Sequence, residues 1–144
     1  MEIIENGNIF DSKCQTIVNT INCVGVMGKG LAKEYARRYP EMFVNYKELC
    51  SNKLIRPGIL WLWRASDKLV LNFPTKDDWR YDSRYEWIEM GLKKFVSTYK
   101  EKGIISIAFP MLGCNNGHLN KDKVLILMRH YLENLKDIKI EIYK

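Results

Sequence analysis

Two glycine-containing loops are the segments of this chain best suited to bind a phosphorylated ligand. The first, residues 22–30, joins a β-branched segment to a helical pattern and contains three glycines. Free backbone N–H groups at the start of a helix favour an anion, and glycine lets the backbone approach it closely. The second loop, residues 110–117, follows another apolar segment and contains Gly113 and Gly117. If both loops leave strands at the same edge of one sheet, they could bind a diphosphate from both sides.

The first loop does not match the common nucleotide-binding fingerprints. A P-loop has four residues between its first glycine and Gly-Lys, then Ser or Thr. Here two residues separate Gly25 from Gly28, and Gly30 follows Lys29. The G-x-G-x-x-G fingerprint is also absent. We therefore expect neither nucleoside triphosphate hydrolysis nor an ordinary dinucleotide fold. Taken alone, the loop fits equally well a helix capped by a glycine turn, with Lys29 in solvent.

The elements that would position these loops alternate between strand and helix patterns. Strands are predicted at residues 2–4, 16–21, 59–63, 69–73, 104–109 and 138–142. Helical spacing is found at residues 30–39, 42–49, 85–99 and 120–135, with Pro40 breaking or restarting the first helix. This alternation predicts a sheet covered by helices on both faces, a three-layer α/β/α domain. In such sheets ligands bind beyond the carboxyl ends of the strands.

Composition narrows the organisation and the location of the protein. The 144 residues, 47% of them hydrophobic, fit one domain over residues 1–144. The four cysteines show no C-x-x-C pair and no paired Cys/His spacing, so we expect no zinc site and no disulfide framework. The amino terminus lacks the pattern of a secretory signal. We therefore expect a cytoplasmic protein with reduced thiols.

Charge and hydropathy bear on the partners. The longest apolar run, residues 59–63, has five residues, whereas a membrane span needs about 20. We therefore expect no membrane partner. The net charge of +6 and the pI near 9.1 favour a polyanion, whether nucleic acid, nucleotide or anionic lipid.

Taken together, five segments of the chain closely resemble the macrodomain family, over essentially its full length. The segments are Gly7–Ile9, Val18–Asn22, Gly25–Gly30, Asn72–Lys76 and Leu112–Cys114. The stretch Asn72–Lys76, followed by Trp79, Arg80 and Ser83, is most similar to the branch that removes ADP-ribose from DNA. Members of that branch are antitoxins of DNA-modifying toxins, and the terminal ADP-ribose protein glycohydrolase is their relative. The resemblance implies a mixed central sheet, ADP-ribose or ADP-ribosylated DNA as ligand, and a DNA ADP-ribosyltransferase toxin as a possible partner. We expect a monomer with no cofactor and no metal.

The resemblance also implies which residues bind the substrate. They are Asn8, Ile9, Asn22, Gly25, Val26, Met27, Gly28, Lys29, Gly30, Thr75, Gly113, Cys114, Asn115, Asn116 and Gly117. Asn8 would lie beside the adenine, where most macrodomains have an aspartate, and a neutral amide accepts a weaker hydrogen bond. Asn22 would bind the hydroxyls of the distal ribose, and the backbone amides of the two loops would bind the diphosphate. Bulk at Gly28 or Gly113 should then disturb binding most.

Lys76 has the catalytic role that the resemblance implies. The matching lysine of this branch attacks or polarises the anomeric carbon of the distal ribose. Such an amine must be partly deprotonated, which Lys29, Arg80 or a dry pocket would promote. Read without the resemblance, Lys76 is equally a solvated loop lysine that contacts phosphate.

Three further features concern the proton donor and the nucleic acid. The protein-directed relative has an aspartate where this chain has Gly117, whereas the DNA-directed branch tends to have glycine. His118 and Asp122 are then the nearby candidates for the proton donor. A thiol nucleophile formed by Cys114 and His118 is rejected because no third group would orient the base. The residues predicted to contact nucleic acid are Trp79, Arg80 and Arg84.

These features favour a hydrolase that removes ADP-ribose from modified DNA bases by means of Lys76. Two alternatives use the same pocket. One is hydrolysis of small ADP-ribose derivatives, such as the 1″-phosphate or an acyl ester, or of protein-linked ADP-ribose. The other is a reader that binds ADP-ribose without catalysis.

Overall fold

A six-stranded mixed sheet forms the centre of the computed structural model, which describes all residues from Met1 to Lys144. The strands are β1 (Glu2–Ile4), β2 (Thr16–Ile21), β3 (Trp61–Arg64), β4 (Leu69–Pro74), β5 (Ser106–Pro110) and β6 (Lys139–Tyr143). Their spatial order is β1-β6-β5-β2-β4-β3. All neighbours are parallel except β3 and β4. The predicted mixed sheet is therefore confirmed.

Four α-helices cover the two faces of this sheet. They are α1 (Gly30–Arg38), α2 (Pro40–Ser51), α3 (Tyr85–Thr98) and α4 (Lys121–Leu132). One hydrophobic cluster packs α3 and α4 against Val18, and a second packs α1 and α2 against Ile17. Because successive residues of a strand point to opposite faces, these two adjacent residues of β2 are both buried. The three-layer α/β/α architecture is confirmed.

The element boundaries follow local signals closely, with small corrections at the ends. Pro40 starts a new helix rather than only ending the first, since its missing N–H costs nothing at the first helical position. Asn120 caps α4 as predicted, because its Oδ1 accepts a hydrogen bond from the Lys123 amide. The strand predicted from residue 59 begins at Trp61 because Ile59 lies outside the ladder and is 41% exposed. A short 3₁₀ turn, Ile9–Asp11, was not predicted.

A buried pair of amides aligns the two central strands that lead to the loops. Asn19 of β2 lies opposite Asn72 of β4 in the parallel ladder. The Nδ2 of Asn19 donates to the Oδ1 of Asn72 at 3.0 Å, and the Nδ2 of Asn72 donates to the Trp61 carbonyl at 3.3 Å. Both side chains are fully buried, where a shifted register would leave polar groups unpaired. The pair therefore holds the ends of β2 and β4 level.

No helix of the fold has the length and apolar character needed to cross a membrane.

Candidate functional site

A cavity of about 580 Å³ lies where the parallel strands β2, β4 and β5 end together. This volume is within the range typical of small-molecule sites. Its lining includes most of the predicted binding residues, which are Asn22, Val26, Gly28, Lys29, Gly30, Thr75, Gly113, Cys114, Asn115, Asn116 and Gly117, together with Lys76 and Trp79. The topology therefore brings the two glycine loops and the candidate catalytic lysine to one cleft.

Four predicted binding residues do not line this cavity. The Oδ1 of Asn8 accepts a hydrogen bond from the Phe10 amide at 3.0 Å and caps the 3₁₀ turn. Ile9 and Met27 are buried in the hydrophobic cluster beneath α1 and α2. Gly25 faces α2 from behind the loop. Contact of these residues with a ligand stays a prediction.

Six further lining residues were not predicted. They are Thr20, Ile21, Leu31, Ala32, Pro110 and Met111. All of them belong to the last residues of a strand, the residue that follows it, or the first turn of a helix next to a loop. Two residues added to each end of the first loop would have found the first four, whereas Pro110 and Met111 already lie within the second loop, residues 110–117.

Asn22 has its polar atoms engaged within the protein. Its Nδ2 donates to the Val26 carbonyl at 2.7 Å, and its Oδ1 accepts from the Val24 and Val26 amides at 3.1 and 3.4 Å. The hydroxyl of Tyr46 on α2 also lies 2.8 Å from that Oδ1. Asn22 therefore shapes the loop, and the second hydrogen of its amide is what it has left to donate to a ribose hydroxyl.

The first loop is tied to the segment that carries Lys76. The amide of Cys23 donates to the Asp77 carbonyl at 3.1 Å, and the Cys23 thiol donates to the Lys76 carbonyl at 3.3 Å. The Thr75 amide donates to the Ile21 carbonyl at 2.9 Å. These three hydrogen bonds fix the position of the Lys76 backbone relative to the end of β2.

The side chain of Lys76 lines the cavity and is held by the segment that follows it. Its Nζ donates to the Trp79 carbonyl at 3.2 Å. Burial lowers the pKa of Lys76 most, and the positive charge of Lys29 lowers it further, whereas Asp82 and Asp78 oppose the shift. The dry pocket and Lys29 therefore act in the predicted direction. The predicted help from Arg80 is wrong because its guanidinium is paired with Asp78, at 3.0 and 2.7 Å.

The second loop is closed to any side chain at Gly117. A Cβ at this position would lie well inside van der Waals contact with the Gly113 carbonyl oxygen and the Ser83 Oγ. The Ser83 amide also donates to the Gly117 carbonyl at 3.0 Å, which holds the two segments together. An acidic residue therefore cannot take this position without a backbone shift.

The other two glycines, Gly113 and Gly28, differ in the space that the fold leaves for a side chain. Gly113 has a φ of +73°, and a Cβ there would meet Leu119 Cδ1 at 2.9 Å. Gly28 has open space around it, with Val26 Cγ1 the nearest atom at 3.7 Å. The fold thus excludes bulk at Gly113 and at Gly117 but has room for a small side chain at Gly28. The effect of bulk at Gly28 or Gly113 on ligand binding stays a prediction.

Neither Cys114 nor Asp122, two candidates near the second loop, is arranged for catalysis. Burial raises the pKa of the Cys114 thiol to about 11, so the thiolate is scarce at neutral pH. His118 pairs with Asp82 rather than with Cys114, in agreement with the rejected thiol mechanism. Asp122 is exposed in the first turn of α4 and lines neither cavity described here. No three His, Cys, Asp or Glu side chains cluster closely enough to hold a metal ion.

A second cavity of about 220 Å³ adjoins the first. The two cavities share Lys29, Lys76, Trp79 and Asn116. The second cavity is completed by Arg80, Tyr81 and Asp82 of the polar segment after β4. His118, which follows the second loop, also lines it. Lys76 therefore lies at the junction of a larger and a smaller compartment.

The three residues predicted to contact nucleic acid differ in position. Trp79 lines both cavities and is 45% exposed. Arg80 lines the smaller cavity. Arg84 lines neither, and its guanidinium lies 5.1 Å from the centre of the Trp87 ring. They form an exposed aromatic and basic margin that begins at the cavity mouth.

Comparison with known proteins agrees with this arrangement. The family model described as "Macro domain" matches residues 18–128. This chain belongs to the Macro domain family. Its relatives include a DNA ADP-ribosyl glycohydrolase of Thermus aquaticus, 35% identical over 142 residues that cover 96% of this chain and 39% of the relative. A DNA ADP-ribosyl transferase-DNA ADP-ribosyl glycohydrolase fusion protein of Thermosipho africanus is also 35% identical, over 95% of this chain and 40% of its own length. The macrodomain thus spans about two fifths of the curated relatives it matches.

Solved structures extend the likeness to the whole macrodomain. The macrodomain of Thermus aquaticus DarG has a TM-score of 0.92 and 34% identity, over 99% of this chain and 97% of that one. Thermosipho africanus DarTG in complex with ADP-ribose has a TM-score of 0.91 and 35% identity, over 99% of this chain and 41% of that one.

Proposed function

We propose that this macrodomain hydrolyses the glycosidic bond between ADP-ribose and a base of DNA. The observation that carries the proposal is that Lys76 lines both the larger and the smaller cavity. A group at this junction can reach the bond between a sugar held in one compartment and a base held in the other. Relatives named DNA ADP-ribosyl glycohydrolase, at 35% identity over nearly all of this chain, support the same activity.

The larger cavity would hold the ADP-ribose. Backbone N–H groups of its two glycine loops would bind the diphosphate, so this contact does not depend on cationic side chains. The start of α1 at Gly30 adds the favourable end of a helix dipole. Lys29 at the same edge adds one positive charge. The nucleotide would thus be bound mainly by main chain, and Lys76 would remain available for the reaction.

Lys76 would act as a nucleophile on the anomeric carbon. Burial and the charge of Lys29 lower its pKa, so a larger fraction of the amine carries a free electron pair than in an exposed lysine. The resulting lysyl adduct would then be replaced by water. The closed-ring lysyl adduct is in equilibrium with its ring-opened imine, and cyanoborohydride reduces that imine to a stable amine. Mass spectrometry should then detect an ADP-ribosyl adduct on the peptide that contains Lys76.

The DNA strand that carries the ADP-ribose would be held by the exposed margin outside the cavity. Trp79 offers a ring on which a base can stack, and Arg80 and Arg84 offer charge for the phosphate backbone. The net charge of +6 favours the same polyanion. A single-stranded segment suits this margin because stacking requires an unpaired base.

The test is release of ADP-ribose from ADP-ribosylated single-stranded DNA. The wild type and Lys94→Ala should release it, since Lys94 is exposed on α3 and lines neither cavity. Lys76→Ala should be slower by at least about 100-fold while it still binds ADP-ribose in calorimetry. Equal release by the wild type and Lys76→Ala would remove Lys76 from the mechanism.

A panel of other substrates separates the alternatives. Release from the 1″-phosphate, an acyl ester or glutamate-linked protein, but not from DNA, would assign the cavity to those substrates. Binding of ADP-ribose with no release from any substrate would make the protein a reader. The closed position of Gly117 counts against the protein adduct, since the resolving acid of the protein-directed relative has no room there.

The proposed activity has a natural partner. A fusion protein of Thermosipho africanus joins a DNA ADP-ribosyl transferase to a DNA ADP-ribosyl glycohydrolase. We propose that this macrodomain likewise opposes a DNA ADP-ribosyltransferase toxin. All four cysteines are free, which is in keeping with the reducing cytoplasm, and we propose that compartment for the reaction.

A further inference from the structure

A histidine and an aspartate from distant parts of the chain form a pair at the smaller cavity. The Nδ1 of His118 lies 2.7 Å from the Oδ1 of Asp82. His118 follows the second glycine loop, and Asp82 belongs to the segment after β4, 36 residues earlier. Because a carboxylate only accepts hydrogen bonds, Nδ1 carries the hydrogen and Nε2 is the nitrogen left for chemistry.

The backbone at His118 is held in an unusual conformation. Its φ is +62°, in the left-handed region that non-glycine residues seldom adopt. The His118 amide donates to the Asn115 carbonyl at 3.4 Å, and the next amide, that of Leu119, donates to the Gly113 carbonyl at 3.0 Å. Such conformations persist where the surrounding structure fixes them and are concentrated at functional sites. Here the loop turns the imidazole toward the segment that carries Asp82.

The smaller cavity has the size and lining for a single base. Its volume of about 220 Å³ is several times the roughly 30 Å³ that one water molecule occupies in the liquid, so it can admit a heterocyclic ring. Trp79 and Tyr81 supply aromatic faces, and His118 and Lys76 line the same space. A base whose sugar is attacked at Lys76 would therefore leave into a compartment that contains an imidazole.

We propose that His118, oriented by Asp82, is the general acid that protonates the departing base. This inference rests on the proposed function and assigns the proton donor that Gly117 cannot supply. His118 would contact the substrate and is thus a catalytic residue, whereas Asp82 acts through it as a positioning residue.

The two steps balance in atoms and charge. In the first, the neutral Lys76 amine forms a bond to C1″ and the C1″–base bond breaks with its electron pair on the base. The base nitrogen takes the Nε2 proton of the His118 imidazolium. In the second, a water oxygen bonds to C1″ and the C1″–Lys76 bond breaks. One water proton passes to Nε2, which restores the imidazolium and the neutral amine.

The leaving group provides the decisive test. A nitrophenolate departs from ADP-ribose without a proton, whereas a DNA base does not. Single-turnover cleavage of both substrates is compared for the wild type, His118→Asn and the control His130→Asn, which changes the other histidine, on α4. Asparagine tolerates the left-handed backbone and can still donate to Asp82, but it cannot act as an acid.

The expected result is a selective loss. His118→Asn should slow release from DNA by about 100-fold and leave nitrophenol release and ADP-ribose affinity unchanged. Asp82→Asn should lower DNA release relative to nitrophenol release by a smaller factor, since loss of its charge also lowers the Lys76 pKa and so affects both substrates alike, and His130→Asn should match the wild type. The proposal would be overturned if His118→Asn released ADP-ribose from DNA at the wild-type rate, or if it lost the same rate factor on both substrates. A wild type that cleaves the nitrophenyl compound but not DNA would instead overturn the DNA substrate, and the assignment of His118 with it.

Discussion

The Nζ of Lys76 donates a hydrogen bond to the main-chain carbonyl of Trp79, 3.2 Å away. Both the ammonium and the neutral amine of lysine carry hydrogens that can make this bond. The side chain therefore keeps its direction when it loses a proton, and the freed electron pair appears on a nitrogen already held at the junction of the two cavities. Because the backbone acceptor is a neutral carbonyl, the charges that act on Lys76 are those of Lys29 and the nearby carboxylates.

The rate of ADP-ribose release should rise with pH through the pKa of Lys76, below the ordinary lysine value of 10.5. Lys29→Met should move this rise to higher pH, because it removes a positive charge that lowers the pKa of Lys76. Asp82→Asn should move it to lower pH, because it removes a negative charge that raises that pKa. The measurement is the single-turnover rate of nitrophenol release against pH.

The nitrophenyl substrate is the right one for this profile, since its leaving group needs no proton and a single turnover reports its release before water replaces the Lys76 adduct. Lys94→Ala serves as the control for loss of a surface charge. If the rate rose at the same pH in the wild type, Lys29→Met and Asp82→Asn, the neutral Lys76 amine would not limit the rate.

Gly117→Asp should destabilise the protein and give no new activity. The added side chain would overlap the Gly113 carbonyl and Ser83, and overpacking of this kind costs about 1–3 kcal/mol or more in the free energy of unfolding. Adding Ser83→Ala should not restore stability because the backbone obstacle remains. Urea unfolding and release from glutamate-linked ADP-ribose are measured together. A stable Gly117→Asp that acquires protein-directed activity would contradict the closed geometry.

Gly91→Ala should destabilise the fold although it lies within α3. Alanine in a helix ordinarily gains roughly 0.5–1 kcal/mol over glycine. Here the new methyl group would enter the ring of Phe73, and we expect a net loss of about 1–3 kcal/mol. Since Phe73 precedes the segment with Lys76, release should also fall. Gly28→Ala is the control, with free space around it, and its urea midpoint should match the wild type.

Asn22→Ala should lower both stability and ADP-ribose affinity. It leaves the Val24 and Val26 amides and the Val26 carbonyl, which lie in a partly exposed loop, without their partner, and we expect a loss of about 0.5–1.5 kcal/mol for each hydrogen bond. Tyr46→Phe, which loses the neighbouring hydroxyl, should cost about 0.5–1.5 kcal/mol. The free energy of unfolding and the dissociation constant are measured for both. Unchanged stability in Asn22→Ala would mean that this residue serves the ligand alone.

Binding of ADP-ribosylated single-stranded DNA should depend on salt through the exposed margin. Arg84→Gln and Arg80→Gln should each reduce the slope of log K against log salt by about 0.7, the value for one phosphate contact on a single strand. Affinity for free ADP-ribose should not change, because neither arginine lines the larger cavity. Titrations at several salt concentrations provide the slope, and Lys94→Gln is the charge-matched control. Equal slopes in all variants would remove these arginines from the DNA interface.

Most of the fold could be predicted because its signals are local. The spacing of apolar residues, the proline at the start of α2 and the Asn120 cap each act over a few residues. These signals also placed the two glycine loops and Lys76 at the carboxyl ends of strands. The ends of β3 were less accessible, since they depend on which residues the ladder can pair. The 3₁₀ turn after Asn8 has only three residues, too few to show a periodic pattern.

By itself, the sequence determined the order of strands and helices, the loops at one sheet edge and the lysine beside them. Tertiary structure alone decided that Asn22 bonds Tyr46, that Ser83 and Gly113 close the space at Gly117, and that His118 meets Asp82. Each of these contacts depends on how separate loops pack at the sheet edge. The local sequence pattern does not determine such distances, because they depend on how the strands pair and how the helices pack.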